Sequence, residues 1–250
     1  MLVEKVLSYL SAQFPRYLRE LEQLVNVDSG SYYKPGVSDM KSGLLSALYA
    51  VEALKAAGYD GFGRITFLCT ADEEIGSRAL KPIIQSLCWD SDVALVVESA
   101  RSNGAIVSAR KGTGVFQITA VGRAAHAGVE PENGANAVVA LAHQVIALHE
   151  LNGLAPGVTI NVGTIKGGDR TNVVPPHAVA GVDLRYSTAE DGAQAERAIR
   201  GLADCTIVRG TEIQVTGSLR RPPMEKTEQV ARLVEFAQQA ASQVGIQLAQ

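Results

Sequence analysis

Three consecutive carboxylates, Asp72, Glu73 and Glu74, follow the apolar run Ile65-Thr66-Phe67-Leu68-Cys69. Acidic residues are poor strand formers and are costly to bury unpaired. A cluster of them at the carboxyl end of a buried strand therefore calls for cations, solvent or chemistry. Another carboxylate, Glu98, ends the second apolar run, Val93-Ala94-Leu95-Val96-Val97, and Asp39 stands where a helix is expected to begin. In open α/β sheets the reactive crevice lies beyond the carboxyl ends of the strands. Asp39, Glu73, Glu74 and Glu98 could converge there. They could not all stay ionised a few ångströms apart without cations between them. A pair of divalent metals, roughly 3.5–4 Å apart, is the usual remedy. Taken singly, each has a plainer reading. Asp39 caps a helix, Asp72-Glu73-Glu74 forms an acidic first turn, and Glu98 is a solvated loop end.

The elements that must position these residues are legible as periodicities. Leu7, Leu10, Phe14, Leu18, Leu21 and Leu24 sit at helical spacing within residues 3–26. A second helix is expected from Ser38 or Asp39 through Leu54 to a stop at Gly58. Strands are expected at 65–70 and 93–97, with a helix through Leu80, Ile83, Ile84 and Leu87 between them. That alternation is the α/β pattern with a parallel sheet. After Arg110 the pattern changes. Strands at 115–121, 158–165, 173–186 and 212–216 alternate with helices at 133–151 and 189–202. The order β-α-β-β-α-β is the split βαβ arrangement of a ferredoxin-like sandwich. One more amphipathic helix follows at 225–244. The expected organisation is an α/β domain formed by residues 1–110 and 220–250, with a smaller domain, 111–219, inserted in it.

Bulk composition excludes several classes. The chain has 250 residues, 46% hydrophobic and 20% charged, with a net charge of −3, which offers no nucleic-acid surface. No apolar run reaches the roughly 18 residues that span a bilayer. The N-terminus lacks a basic region followed by an apolar core, so no signal peptide is expected and the expected location is cytoplasmic. Three scattered cysteines, Cys69, Cys88 and Cys205, form no disulfide framework.

The segments Gly36-Val37-Ser38-Asp39-Met40-Lys41-Ser42-Gly43 and Thr70-Ala71-Asp72-Glu73-Glu74-Ile75-Gly76-Ser77 together resemble the co-catalytic zinc peptidases and deacylases. That family includes glutamate carboxypeptidases, acetylornithine deacetylase, succinyl-diaminopimelate desuccinylase and aminoacylases. The glutamate carboxypeptidase branch is the most similar. Gly122-Arg123-Ala124-Ala125-His126-Ala127-Gly128, Thr171-Asn172-Val173-Val174-Pro175 and Asp183-Leu184-Arg185 resemble signatures of the family's inserted lid, or dimerisation, domain. The resemblance implies two zincs, with Asp39 bridging them, Glu74 binding one and Glu98 the other. It implies Glu73 as the general base and His126 as a donor to the developing oxyanion. It implies that Asn172 and Arg185 contact the substrate, Arg185 through its carboxylate. The implied substrate is a small peptide or N-acyl amino acid, and the implied assembly a homodimer through the lid.

Two departures from the family pattern stand beside these matches. The family's His-x-Asp motif before the Asp39 segment has no counterpart, because none of the four histidines precedes residue 126. Its second histidine ligand, near the C-terminus, has none either. Asp39, Glu74 and Glu98 alone are an all-oxygen set, which suits zinc less well than mixed nitrogen and oxygen. The expected catalytic domain is therefore a shortened one and its activity impaired. The alternative expectation is a non-catalytic dimerisation or binding protein that keeps the lid.

Overall fold

A computed structural model describes residues 1–26, 40–70, 73, 76, 77, 79–99, 101 and 103–250. The chain divides into two compact units, Met1–Ala100 and Arg101–Gln250.

The first unit is built on helices α1 (Leu2–Asn26), α2 (Lys41–Ala56) and α3 (Lys81–Trp89). The leucine stripe of α1 runs unbroken past Pro15. Helix α2 begins at Lys41 and ends before Gly58, whose φ of 75° only glycine adopts freely. The two helices are joined by a polar cluster. Arg16 donates from Nε to Glu20 at 2.8 Å and from Nη1 and Nη2 to Glu52 at 3.3 Å. Its guanidinium lies 5.2 Å from the Tyr49 ring centre. The buried Tyr49 donates its hydroxyl to Glu20 at 2.8 Å. Burial, and then that carboxylate, push the Tyr49 phenol up to about 12, and Arg16 holds Glu20 below its ordinary value.

The expected strands at 65–70 and 93–97 are corrected by the structure. Neither run belongs to a sheet among the described residues. Ile65, Phe67, Leu68, Val93, Leu95 and Val96 are all exposed. A continuous apolar run specifies a buried strand only when neighbouring strands supply a hydrogen-bond ladder and both faces are covered. One contact does organise this unit. A Cβ at Gly43, in the first turn of α2, would stand 2.1 Å from the Val97 carbonyl oxygen. Only glycine permits that approach, and it brings the backbone leading into Glu98 against the start of α2.

The second unit contains the expected sandwich. Its strands are β1 (Gly112–Val121), β2 (Thr159–Gly167), β3 (His177–Tyr186) and β4 (Glu212–Arg221). They pair antiparallel in the order β2-β3-β1-β4. Helices α4 (Ala137–Glu150) and α5 (Ala189–Gly201) cover one face. Phe116, Ile118 and Ala120 of β1 and Ala178, Ala180, Val182 and Leu184 of β3 alternate inward. They pack on Leu141 and Leu148 of α4 and Ala195 and Ile199 of α5. The Asn136 side chain accepts from the Val139 N–H at 3.0 Å, and Thr188 from the Asp191 N–H at 3.1 Å, which caps both helices. Helix α6 (Glu228–Gln243) belongs to this unit too. The chain after it returns to residues 106–108, where Ile106 N–H donates to the Ala249 carbonyl at 3.1 Å.

Ile118 is fully buried at the centre of this core. Ile118→Ala should cost the second unit about 2–5 kcal/mol in chemical denaturation. In the first unit, Glu20 is depressed, so its contribution is present above its unfolded pKa of about 4.3 and is lost as the pH falls through the lower folded value. Hydrogen exchange of the α1 and α2 amides should accelerate in that acid window, and Glu20→Gln should remove the pH dependence.

Candidate functional site

In the second unit the chain leaves β1 and remains extended. Gly122 N–H donates to the Pro176 carbonyl at 2.7 Å, Ala127 N–H to the Asn172 carbonyl at 3.0 Å, and Val174 N–H to the Ala125 carbonyl at 2.9 Å. His126 faces Val173 in an antiparallel bridge, and Arg123 faces Ala135 in another. Segment 122–127 is therefore laced between 172–176 and 133–135. A Cβ at Gly122 would lie 2.1 Å from the Ala135 carbonyl oxygen, so the lacing needs glycine there. Arg123 Nε donates to the Asn133 carbonyl and anchors the same loop. The lacing brings His126 and Asn172, two of the expected site residues, together on adjacent exposed segments.

The ring of His126 is oriented from within its own loop. Nδ1 accepts from the Gly128 N–H at 3.2 Å. In neutral imidazole one nitrogen accepts and the other donates. An accepting Nδ1 places the proton on Nε2, which is then available as a hydrogen-bond donor. A donor held on a braced loop has the chemistry that stabilising a developing oxyanion requires.

Arg185 is elsewhere. It lies eight residues along β3 from His177, which is about 26 Å at 3.3 Å per residue. His126 and Asn172 lie beyond the other end of the same ladder. One protomer thus does not bring Arg185 together with that pair. The Arg185 fork is also engaged, with Nε donating to Asp183 at 2.7 Å and Nη2 at 3.1 Å. Asp183 is not among the expected site residues, although its i, i+2 spacing on a strand puts it on the same face as Arg185.

In the first unit, Glu73 is exposed and its carbonyl accepts from Gly76 N–H at 2.8 Å. Glu98 is half-buried. Asp39 and Glu74 lie outside the described residues. Among the described residues no three His, Cys, Asp or Glu side chains form a metal-binding group. No described helix is long and apolar enough to cross a membrane.

Residues 108–211, which hold the whole laced loop and strands β1, β2 and β3 but not β4, match the family described as a peptidase dimerisation domain. That stretch is similar to the dimerisation domain of M20 peptidases. Carboxypeptidase G2 from Pseudomonas sp. (strain RS-16) is 29% identical over 212 residues, covering 84% of this chain and 51% of that protein. One component of the p-aminobenzoyl-glutamate hydrolase of Escherichia coli (strain K12) is 35% identical over 108 residues, covering 41% of this chain and 24% of that protein. Among solved structures, aminopeptidase PepT from Bacillus cereus ATCC 10987 superposes with a TM-score of 0.66 at 24% identity, covering 84% of this chain and 56% of that one. That likeness shows a shared fold. The chain spans about half the length of the curated relatives it matches.

The His126 tautomer can be read directly. Nitrogen NMR of the histidines at pH 8 should show an unprotonated Nδ1 and a protonated Nε2 at His126. Gly122→Ala should break the lacing and return the ring to the tautomer mixture of a free imidazole.

Proposed function

We propose that this chain is the working part of a metal-dependent hydrolase that cleaves the amide bond of a small peptide or N-acyl amino acid, assembled as a homodimer through the second unit. The observation that carries the reading is the separation along the β1–β3 ladder. His126 and Asn172 stand at one end and Arg185 at the other, inside a peptidase dimerisation domain. Two-fold pairing of protomers offers a site that neither end completes alone. In it, His126 and Asn172 of one protomer act with Arg185 of its partner.

The carboxylates Asp39, Glu74 and Glu98 are oxygen donors of the kind that would hold divalent cations. The approach of the Val97 backbone to Gly43 supports this fit, since it sets the half-buried Glu98 close to the first turn of α2. Zinc is the expected metal, and zinc prefers nitrogen among its ligands. Residues 1–110 contain no histidine, so zinc affinity in this chain should be weak. When bound, such ions lower the pKa of water toward 7. Glu73 would be the base that accepts a proton from the attacking water and returns it to the leaving amine. His126 Nε2–H donates to the carbonyl oxygen as charge develops on it, and Asn172 and Arg185 hold the substrate in register. The substrate class is suggested by the hydrolase of p-aminobenzoyl-glutamate among the relatives, an amide of a dicarboxylic amino acid.

A second reading, a non-catalytic dimerisation or binding protein, is favoured by the intact sandwich beside a carboxylate set without imidazoles. Assays of N-acyl amino acids and dipeptides with added zinc, cobalt or manganese separate the two. The hydrolase reading expects turnover that Glu73→Gln lowers by about 10²–10⁴-fold, with the dimer intact in light scattering. A folded dimer that turns over none of these substrates with any of the three cations supports the second reading instead.

A further inference from the structure

The loop that carries His126 is closed by a circuit of hydrogen bonds running back to its base. At the base, Arg123 N–H donates to the Ala135 carbonyl at 3.0 Å and Ala135 N–H to the Arg123 carbonyl at 2.9 Å. Arg123 Nε reaches one turn further, to the Asn133 carbonyl. Asn133 ends the single 3-10 turn Pro131–Asn133. It grips Glu130 twice. Its N–H donates to the Glu130 carbonyl at 3.1 Å, and its side-chain Nδ2 donates to Glu130 Oε2 at 3.0 Å. Glu130 N–H then donates to the His126 carbonyl at 3.1 Å, beside the Val129 N–H at 3.3 Å.

Two N–H groups on one carbonyl hold a tight turn from His126 to Glu130. That turn is what carries the Gly128 N–H to His126 Nδ1, at 3.2 Å. The state of the imidazole therefore depends on where Glu130 is held. Its backbone is held by the turn itself, and its side chain by Asn133, which Arg123 ties to the laced base. The loop is exposed from His126 to Asn133, so no burial enforces this arrangement and the polar bonds must supply it. The Glu130–Asn133 bond is a link between two side chains, and it works in one polarity. A carboxylate only accepts, while an amide has two N–H groups to give. Aspartate at 133 would set two carboxylates against each other.

We propose that Glu130 and Asn133 are positioning residues that act through the 126–130 turn to keep the proton of His126 on Nε2. The use of that proton in catalysis rests on the hydrolase reading above, whereas the tautomer itself rests on the loop alone.

The test exchanges donor and acceptor in the full chain and reads the His126 ring by nitrogen NMR at about pH 8. Glu130→Gln should keep the wild-type tautomer, because the glutamine oxygen still accepts from Asn133. Asn133→Asp should lose it and show the mixture of a free imidazole. The double variant Glu130→Gln with Asn133→Asp restores the bond with its polarity reversed, at the net charge of the wild type, and should recover the single tautomer. Thermal melting establishes that the variants are folded. In assays of N-acyl amino acids with added cation, Asn133→Asp should lower kcat about two- to tenfold, the range one net hydrogen bond spans, with KM within about twofold, and the double variant should regain the loss. An Asn133→Asp ring that keeps the single tautomer overturns the proposal. So does a double variant that behaves like Asn133→Asp, or a Glu130→Gln variant that loses the tautomer. The hydrolase reading fails separately. The expected tautomer pattern without turnover by the wild type keeps the positioning pair and discards that reading. Turnover with a tautomer indifferent to the pair does the reverse.

Discussion

The antiparallel register between β1 and β3 is the constraint on which the second unit depends. Ten consecutive residue pairs, from Gly112↔Tyr186 to Val121↔His177, hold the centre of the sheet. They also fix what stands beyond each end. Past Val121 the same pairing continues as the lacing of 122–127 against 172–176 and delivers His126 and Asn172. At the other end, opposite Thr113, it delivers Arg185. A slip of one residue would turn Arg185 into the core and Leu184 out of it. The fully buried Leu184, Ile118 and Ala180 therefore hold the polar residues in place as much as they hold the fold together.

In the homodimer we propose, that constraint has a chemical role. Groups at the two ends of a rigid ladder cannot meet on one small substrate. A two-fold axis in that proposed dimer would bring one end of each protomer toward its partner, and the distance along the ladder would become the span between two sites. The first unit contributes differently. Its α1–α2 pair is tied by Arg16, Glu20, Glu52 and Tyr49. Gly43, in the first turn of α2, lets the backbone before Glu98 come close.

The sandwich was largely legible in the sequence because each strand buries one face and shows the other to water. The alternation at 115–121 and the pair Gly167 and Gly168 at the end of β2 left local marks, whereas the Asn136 cap starts α4 later than the expected residue 133. Its errors have local causes. Strand β4 runs to Arg221 rather than stopping at 216, since Ser218, Arg220 and Arg221 on an edge strand carry no apolar alternation. Strand β3 begins at His177 rather than 173, since Pro175 and Pro176 cannot donate to a ladder and the residues before them pair with the His126 loop. The runs at 65–70 and 93–97 read as buried strands from composition alone, and composition does not say whether partners exist.

The site was legible as residue types and less so as geometry. The adjacency of His126 and Asn172 comes from pairings between segments about 46 residues apart, which no periodicity announces. The Asp183–Arg185 pair was visible in its spacing but reads equally as a solvated face. Asp39 and Glu74 lie outside the described residues, so the carboxylate set stands on the sequence together with Glu73 and Glu98.

The central claim is that each site is shared between protomers. The direct measurement mixes two inactive variants, His126→Ala and Arg185→Ala, refolds them together, and assays N-acyl amino acid hydrolysis with added zinc. Sharing predicts that every mixed dimer regains one intact site, so activity reappears at about a quarter of the wild-type level in an equal mixture, where half the dimers are mixed. Activity that stays at the level of the separate variants, with mixed dimers demonstrated, would contradict the account.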